Sequence, residues 1–460
     1  MGLYRISYLL LILLCSGICP RGSHATRYLT LGFISTSRYA KDPKWGPERR
    51  VMLHPKHFEQ IPPERRAFVL FEEGYGERFG LSDQQIRGMG FEVVSKDDLW
   101  KAADVLLTPK VHIEDYRQVT NPGQALFGLQ YLTYKKDALR AAIERRATAI
   151  SLDAMKSTGP GYETTILWEH RGINGEAAVY DALAHTRKKI PSFTPKRALV
   201  LGFGNVSRAA VEQLRKVGVG DIMVATKRPT EGVGGKIPSV RYVTMRGGVG
   251  GEPVVLLDGE KEVPLLDLLD GVDVLVNGEF QPAKNPHPLM FVQSSDLDEH
   301  KQRLAGYAAD LKAYRDGRRP SRPAKPRFRK PLLIIDIIAH RGTAFPFARN
   351  LPLLNPLRNA TTLAGGDGAP VHWLYYAGFN MANANQDFAN RASEAISGAI
   401  FEVIEALQLG NWLDNPQLQK AIRVYRGTVP EEQKALLGAF PELMSDPQLA
   451  EIYRQNEMAR

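Results

Sequence analysis

The stretch that decides the fold is RALVLGFGNVSRAAVEQLRKVG, Arg197 to Gly218. An apolar strand pattern runs into Gly202-Phe203-Gly204-Asn205-Val206-Ser207 and then directly into an Ala-rich helical pattern. Gly202 permits a tight turn, and Gly204 lets a pyrophosphate approach the backbone. The helix N-terminus behind them offers amide donors and the positive end of its dipole to phosphates. Ser207 stands where a third small residue allows close helix packing. Glycines also serve plain turns, so the pattern alone is weak. Here a second strand pattern, Asp221 to Thr226, follows at the right distance. The reading is a dinucleotide-binding strand, turn and helix.

The end of that second strand separates the two nicotinamide cofactors. A site for NAD usually places Asp or Glu there to hold the ribose hydroxyls. This sequence has Thr226, Lys227 and Arg228 instead, which suit a 2′-phosphate. The expected cofactor is therefore NADP (NADPH) rather than NAD, with two solvated loop charges as the plainer alternative. Asn277, closing a third strand pattern at Val272 to Asn277, joins the cofactor-binding candidates Gly202, Gly204, Asn205, Val206, Ser207, Thr226, Lys227 and Arg228.

Working outward, short β-rich runs alternate with helical patterns from Tyr28 onward, the signature of α/β architecture. Strand candidates in the first block are Tyr28 to Ile34, Ala67 to Phe71, Phe91 to Val94, Val105 to Leu107 and Ala147 to Leu152. A helical stretch from about Ile173 to Lys188 could bridge to the second series. That series closes on the nearly all-apolar PLLIIDII, Pro331 to Ile338, as expected of a central parallel strand. Helical patterns return at Asp296 to Tyr314 and Asn383 to Leu409, and the tail from Asn411 reads as two or three short helices.

With 460 residues the chain exceeds a single core. Its hydrophobic content of 43% and charged content of 24% are those of a folded globular protein. Of the net charge of +10, +7 lies between Arg315 and Lys330, a Pro-interrupted basic run that reads as a solvated loop, so no nucleic-acid partner is expected. Both cysteines, Cys15 and Cys19, precede the first strand pattern. That excludes thiolate metal sites and cysteine nucleophiles from the body, and no metal is expected. The apolar run Tyr8 to Ile18 after Arg5 has the layout of an export signal, yet is too short to span a bilayer comfortably. Either it is such a signal, or translation starts downstream; a cytoplasmic enzyme favours the second.

Beside the glycine motif, several segments resemble the alanine dehydrogenase and saccharopine dehydrogenase superfamily. They are PERRVMLHPKHF (47–58), VLFEEGYGERFGLSDQQIRGMGFEVV (69–94), ADVLLTPK (103–110), ALFGLQYLTYKKDALRAAIERRATAISLDAM (125–155) and LIIDIIAHRGTAF (333–345). Within it the chain looks most like the opine-forming N5-(carboxyethyl)ornithine synthases. The resemblance implies a Rossmann domain inserted in an α/β substrate domain, with the site in the cleft between them. The boundaries expected are a signal-like or non-native segment 1–27, substrate domain 28–170, Rossmann domain 171–345, second part of the substrate domain 346–410 and a helical tail 411–460. A homo-oligomer is expected as well.

The resemblance also implies hydride transfer between a nicotinamide and an imine that joins an amine to a 2-oxo acid. Arg50 takes the family's carboxylate-binding position, where its planar fork suits a carboxylate. Lys110, after a strand, matches the active-site lysine, which binds the carboxylate and polarises C=O or C=N. Two departures stand out. Tyr131 replaces the family's acid–base histidine, and His340 replaces a second aspartate after the last Rossmann strand. A phenol near pKa 10 is a poor substitute for an imidazole, so His340 is expected to carry the proton and Tyr131 to donate a hydrogen bond. If the amine partner is basic, Glu72, Glu73, Asp153 and Glu176 are all candidates for its distal end. A different class stays open: a protein that keeps the cofactor but has lost hydride transfer and serves as a sensor or subunit.

Overall fold

Alternating strand and helix patterns become two sheets in the computed structural model of the chain. The structure describes residues 28–35, 48–159, 162–247, 252–257, 261–269, 271–279, 281, 289–323, 332–337, 344–350, 359–364, 371–376, 381 and 384–459. The signal-like segment 1–27, His340 and most of the basic run, 324–330, lie outside them.

The first sheet holds β1 (Leu31–Phe33), β2 (Val69–Glu72), β3 (Glu92–Val94), β4 (Val105–Lys110), β5 (Ala125–Leu129) and β6 (Thr148–Ser151), all parallel. A hairpin of β7 (Lys156–Gly159) and β8 (Tyr162–Thr165) leads to the helix Trp168–Lys189, which carries the chain to the second sheet. The pattern at Ile173 to Lys188 thus starts five residues earlier than expected.

The second sheet contains β9 (Arg197–Leu201), β10 (Asp221–Thr226), β11 (Arg241–Gly247), β12 (Pro253–Leu257), β13 (Lys261–Pro264), β14 (Val274–Asn277), β15 (Leu332–Asp336), β16 (Asn359–Ala364) and β17 (Val371–Tyr375). Its order is β13-β12-β11-β10-β9-β14-β15-β17-β16. Strands β11-β10-β9-β14-β15-β17 are parallel and follow the 3-2-1-4-5-6 order of a Rossmann sheet. Antiparallel β12, β13 and β16 extend its two edges. The helix Asn205–Lys216 buries Ala210, Val211 and Leu214 in the core that contains Val200, Val274 and Val276.

Two boundaries differ from expectation. Strand β17 pairs onto β15 and β16 onto β17, so these strands complete the second sheet instead of returning to the first one. The tail also holds a strand, β18 (Ile422–Val424), antiparallel to β6 at the edge of the first sheet. Edge-pairing of this kind leaves no periodicity of its own in so short a segment. The helix Gln386–Leu409 packs against the first sheet, with Ser393 Oγ accepting from Val51 N at 3.0 Å and Ser397 Oγ from His54 N at 2.9 Å.

Candidate active site and dinucleotide cleft

Lys110 owes its position to a bulge. Between Leu107 and Lys110 the β4–β5 register shifts by one residue, in the text Thr108-Pro109-Lys110. Proline is tolerated at such a point, and the extra residue re-aims the side chain that follows. Gly128 makes room for it, since a Cβ there would sit 2.0 Å from the Thr108 carbonyl oxygen.

Tyr131 follows the next strand in the left-handed region, with φ of 52°. A bulky residue is held there only when its surroundings fix it. Asp153 Oδ1 does so, accepting from Gln130 N at 2.9 Å, Tyr131 N at 3.3 Å and Ser151 Oγ at 2.9 Å. Burial and the Asp153 charge push the Tyr131 hydroxyl well above its ordinary pKa, so it stays protonated and can only donate or accept a hydrogen bond.

Arg50 is 1% exposed. Its Nε and Nη2 grip Glu48 at 2.8 and 2.7 Å, and its Nη1 lies 2.8 Å from Nε2 of His170. The bidentate grip expected for a substrate carboxylate is thus closed on a carboxylate of the protein. Glu48 stands only two residues before Arg50, and the Arg50 backbone N also donates to Glu48 Oε1 at 3.0 Å. Arg78 fixes that segment by donating to the Arg49 and Ser35 carbonyls, each at 2.7 Å.

The charges couple. Burial raises a carboxyl, but the Arg50 charge and hydrogen bonds override it and hold Glu48 down at about 2. For His170, burial and then Arg50 drive the pKa well below its ordinary value, so the imidazole is neutral. Its Nε2 then accepts from Arg50, placing the ring proton on Nδ1. Lys110 keeps partial solvent access, yet burial and the neighbouring Arg50 bring its ammonium down to about 7, against the opposing pull of Glu48.

At the second sheet, Gly202 takes φ of 80°, and a Cβ there would meet Glu279 Oε2 at 2.8 Å. A Cβ on Gly204 would meet nothing within 4 Å, so that side of the turn is open. Ser207 Oγ donates to Leu201 O at 3.3 Å and occupies the space against Gly278. Among the described residues, Asn205 Nδ2 is buried with no hydrogen-bond partner at the start of the helix. An open glycine turn and an unused buried donor at a helix N-terminus fit a dinucleotide pyrophosphate.

Lys227 pairs with Glu279 at 3.0 Å, and Arg228 donates to the Phe203 carbonyl at 2.8 Å. Both cations are exposed, and each is tied to a residue at the glycine turn. Thr226 is buried at the strand end, and Val206 opens the helix. Asn277 does not reach into the open cleft: its amide donates to Asp336 Oδ1 at 2.8 Å. Burial of Asp336, opposed by Asn277 and Trp373, pushes its carboxyl up to about 7.

One helix joins these two sets. His170, in the first turn of Trp168–Lys189, meets Arg50, while Gly172 faces Asn205 of the glycine turn. Gly175 lies so close that a Cβ would be 2.0 Å from Val206 O. Arg50, whose charge couples to Lys110 and Tyr131, and the residues Asn205 and Val206 therefore meet the same helix at its N-terminal end. Sequence reasoning missed Glu48, His170 and Glu279. The spacing of Glu48 from Arg50 was a usable signal; the other two arrive through tertiary packing.

Residues 42–172 match the alanine dehydrogenase/PNT N-terminal domain. The chain is 26% identical to the alanine dehydrogenase of Mycolicibacterium smegmatis over 326 residues, 67% of this chain and 82% of that one. It is 23% identical to the N(5)-(carboxyethyl)ornithine synthase of Clostridium botulinum over 379 residues, 80% and 93% of the two chains. An L-alanine dehydrogenase structure superposes with a TM-score of 0.60 at 14% identity, covering 90% of this chain and 99% of that one. A transhydrogenase from Sinorhizobium meliloti gives 0.59 at 17%, covering 87% and 100%. These matches agree with the resemblance read from the sequence, and the two superpositions show the fold it implies. Among the described residues no helix is long and apolar enough to cross a membrane.

Proposed function

We propose that this chain is an oxidoreductase of the amino acid dehydrogenase and opine synthase kind, acting on the imine formed between an amine and a 2-oxo acid. The observation that carries the reading is the junction on the helix Trp168–Lys189, which sets the Lys110 cluster beside the open glycine turn. When bound, a nicotinamide dinucleotide supplies or accepts the hydride. The condensation releases water, and reduction adds that hydride to the imine carbon and a proton to nitrogen.

Lys110 is the residue suited to the polar part of this chemistry. As an ammonium it holds the 2-oxo acid carboxylate and polarises the C=O or C=N bond. With its pKa near 7 it can also release or take up a proton in the neutral range. Tyr131, held protonated, orients the substrate through its hydroxyl. The buried Glu48–Arg50–His170 chain stiffens the wall beside Lys110 and sets its charge. NADP is the preferred cofactor in this reading, supported by Thr226, Lys227 and Arg228 where an acid would serve NAD.

Lys110→Ala and Arg50→Ala should each abolish turnover of NADPH with an amine and a 2-oxo acid while leaving cofactor binding within about threefold, because neither touches the glycine turn. Near-wild-type rates in a folded variant would remove that residue from the mechanism.

A further inference from the structure

The mechanism makes no use of Glu279, which stands on the cofactor's ground. It follows the last residue of β14 by two, in a loop pressed onto the glycine turn. A Cβ on Gly202 would come within 2.8 Å of Glu279 Oε2, 3.0 Å of its Cα and 3.2 Å of its N. The buried Asn277 anchors this loop, its Oδ1 accepting from Glu279 N at 3.3 Å while its Nδ2 donates to Asp336 Oδ1 at 2.8 Å. From that anchored backbone the carboxylate reaches the end of β10, where Oε1 lies 3.0 Å from Lys227 Nζ.

A lysine–glutamate pair at a surface is weak evidence of anything. Here the Glu279 side chain is only 17% exposed, and its carboxylate joins the two points that a phosphorylated dinucleotide has to span. The glycine turn takes the pyrophosphate, and the end of the second strand takes the adenosine ribose with its 2′ substituent. The acid missing from β10 thus arrives from the loop after β14. Its effect on the two cofactors is opposite. Toward the ribose hydroxyls of NAD a carboxylate is an acceptor. Toward a 2′-phosphate it is a like charge that competes for the same ammonium. Arg228 and Arg208 donate to the carbonyls of Phe203 and Gly235, which are uncharged acceptors, so a phosphate can draw on them without separating an ion pair.

We propose that Glu279 is a specificity-determining residue: an internal anion that stands in for the 2′-phosphate in the cofactor-free protein and has to leave Lys227 before the phosphate can replace it. The ion pair is exchanged on binding and not created, so Lys227 adds less to NADPH affinity than its charge alone would give. This rests on the reading that the glycine turn binds a nicotinamide dinucleotide, and it is tested by binding without turnover.

NADPH and NADH are titrated separately into the full-length protein, followed by the fluorescence of the reduced nicotinamide. Glu279→Gln keeps the size of the side chain and removes its charge. It should raise the preference for NADPH over NADH about tenfold, and Glu279→Ala should act in the same direction. In a Lys227→Gln background the same substitution should leave the preference within about twofold, because no ammonium remains to be released. A loop residue with a merely structural role would change both cofactors equally in both backgrounds. That result, or a preference unmoved by Glu279→Gln while both cofactors bind, would overturn the proposal alone. Binding of neither cofactor to the parent or to any variant would overturn the dinucleotide reading and the proposal with it.

Discussion

Lys110, which the resemblance marks as an active-site lysine, shows how burial and charged neighbours re-tune a side chain. An ordinary lysine titrates near 10.4, but burial and Arg50 bring this one to about 7. The folded pKa is depressed, so the ammonium is present below about 7 and is lost as pH rises through it. With the ammonium as the binding form, kcat/KM should fall as pH rises through that value. Glu48→Gln removes the charge that favours the ammonium, so the limb should move to lower pH; an unmoved limb would show that Glu48 does not set it. The limb should persist in His340→Gln, whereas its loss there would return the proton to His340. The cofactor preference also belongs at this scale. Direct titration should give NADPH tighter than NADH by about 1–3 kcal/mol, the worth of charge-assisted hydrogen bonds to a 2′-phosphate. Equal affinities would mean that the Lys227–Glu279 pair survives cofactor binding and withholds its cation.

Among the elements, the strand, turn and helix of Arg197 to Gly218 were the most legible part of the chain. Glycines, an apolar strand and helical periodicity there point to one answer. Strands β11 to β13 and β16 to β17 were not legible, because strands take much of their structure from pairing with a neighbour and not from a pattern within themselves. The bulge at Lys110 was invisible for the same reason, although Pro109 inside a strand pattern was a hint. The contact of helix Trp168–Lys189 with the glycine turn gives the sharpest test at this level. Gly175→Ala forces a methyl onto the Val206 carbonyl, where a Cβ would sit at 2.0 Å. Overpacking of this kind costs about 1–3 kcal/mol. A lowered thermal midpoint should be accompanied by weaker cofactor binding, since the displaced backbone opens the start of the helix Asn205–Lys216, where the proposed function places the pyrophosphate. A variant as stable as the parent would show that the helices separate freely.

At the level of the whole molecule, sequence reading gave the order of parts and missed where the last ones go. Strands β16 and β17 complete the Rossmann sheet, and the tail returns to the first sheet through β18. The tail also buries Leu436, Leu443, Leu449 and Tyr453 in the core that holds Ala142 and Ile143, and Asn456 Nδ2 donates to Ile143 O at 3.1 Å. Each such apolar side chain contributes about 1.5–3 kcal/mol when fully buried. Against a total stability of about 5–15 kcal/mol, a chain ending at Gly410 should not hold the first sheet. Its thermal unfolding should lose cooperativity, and retention of the parent's midpoint would make the tail an ornament on the fold. The central claim is that hydride passes between a nicotinamide bound at the glycine turn and the carbon of an imine held at Lys110. It is tested most directly by incubating the protein with NADPH deuterated at C4, an amino acid and a 2-oxo acid, and locating the label by mass spectrometry. Deuterium on the α-carbon derived from the 2-oxo acid, in a secondary amine product, is the predicted result. Deuterium in a 2-hydroxy acid, or no transfer with any partner pair, would contradict it.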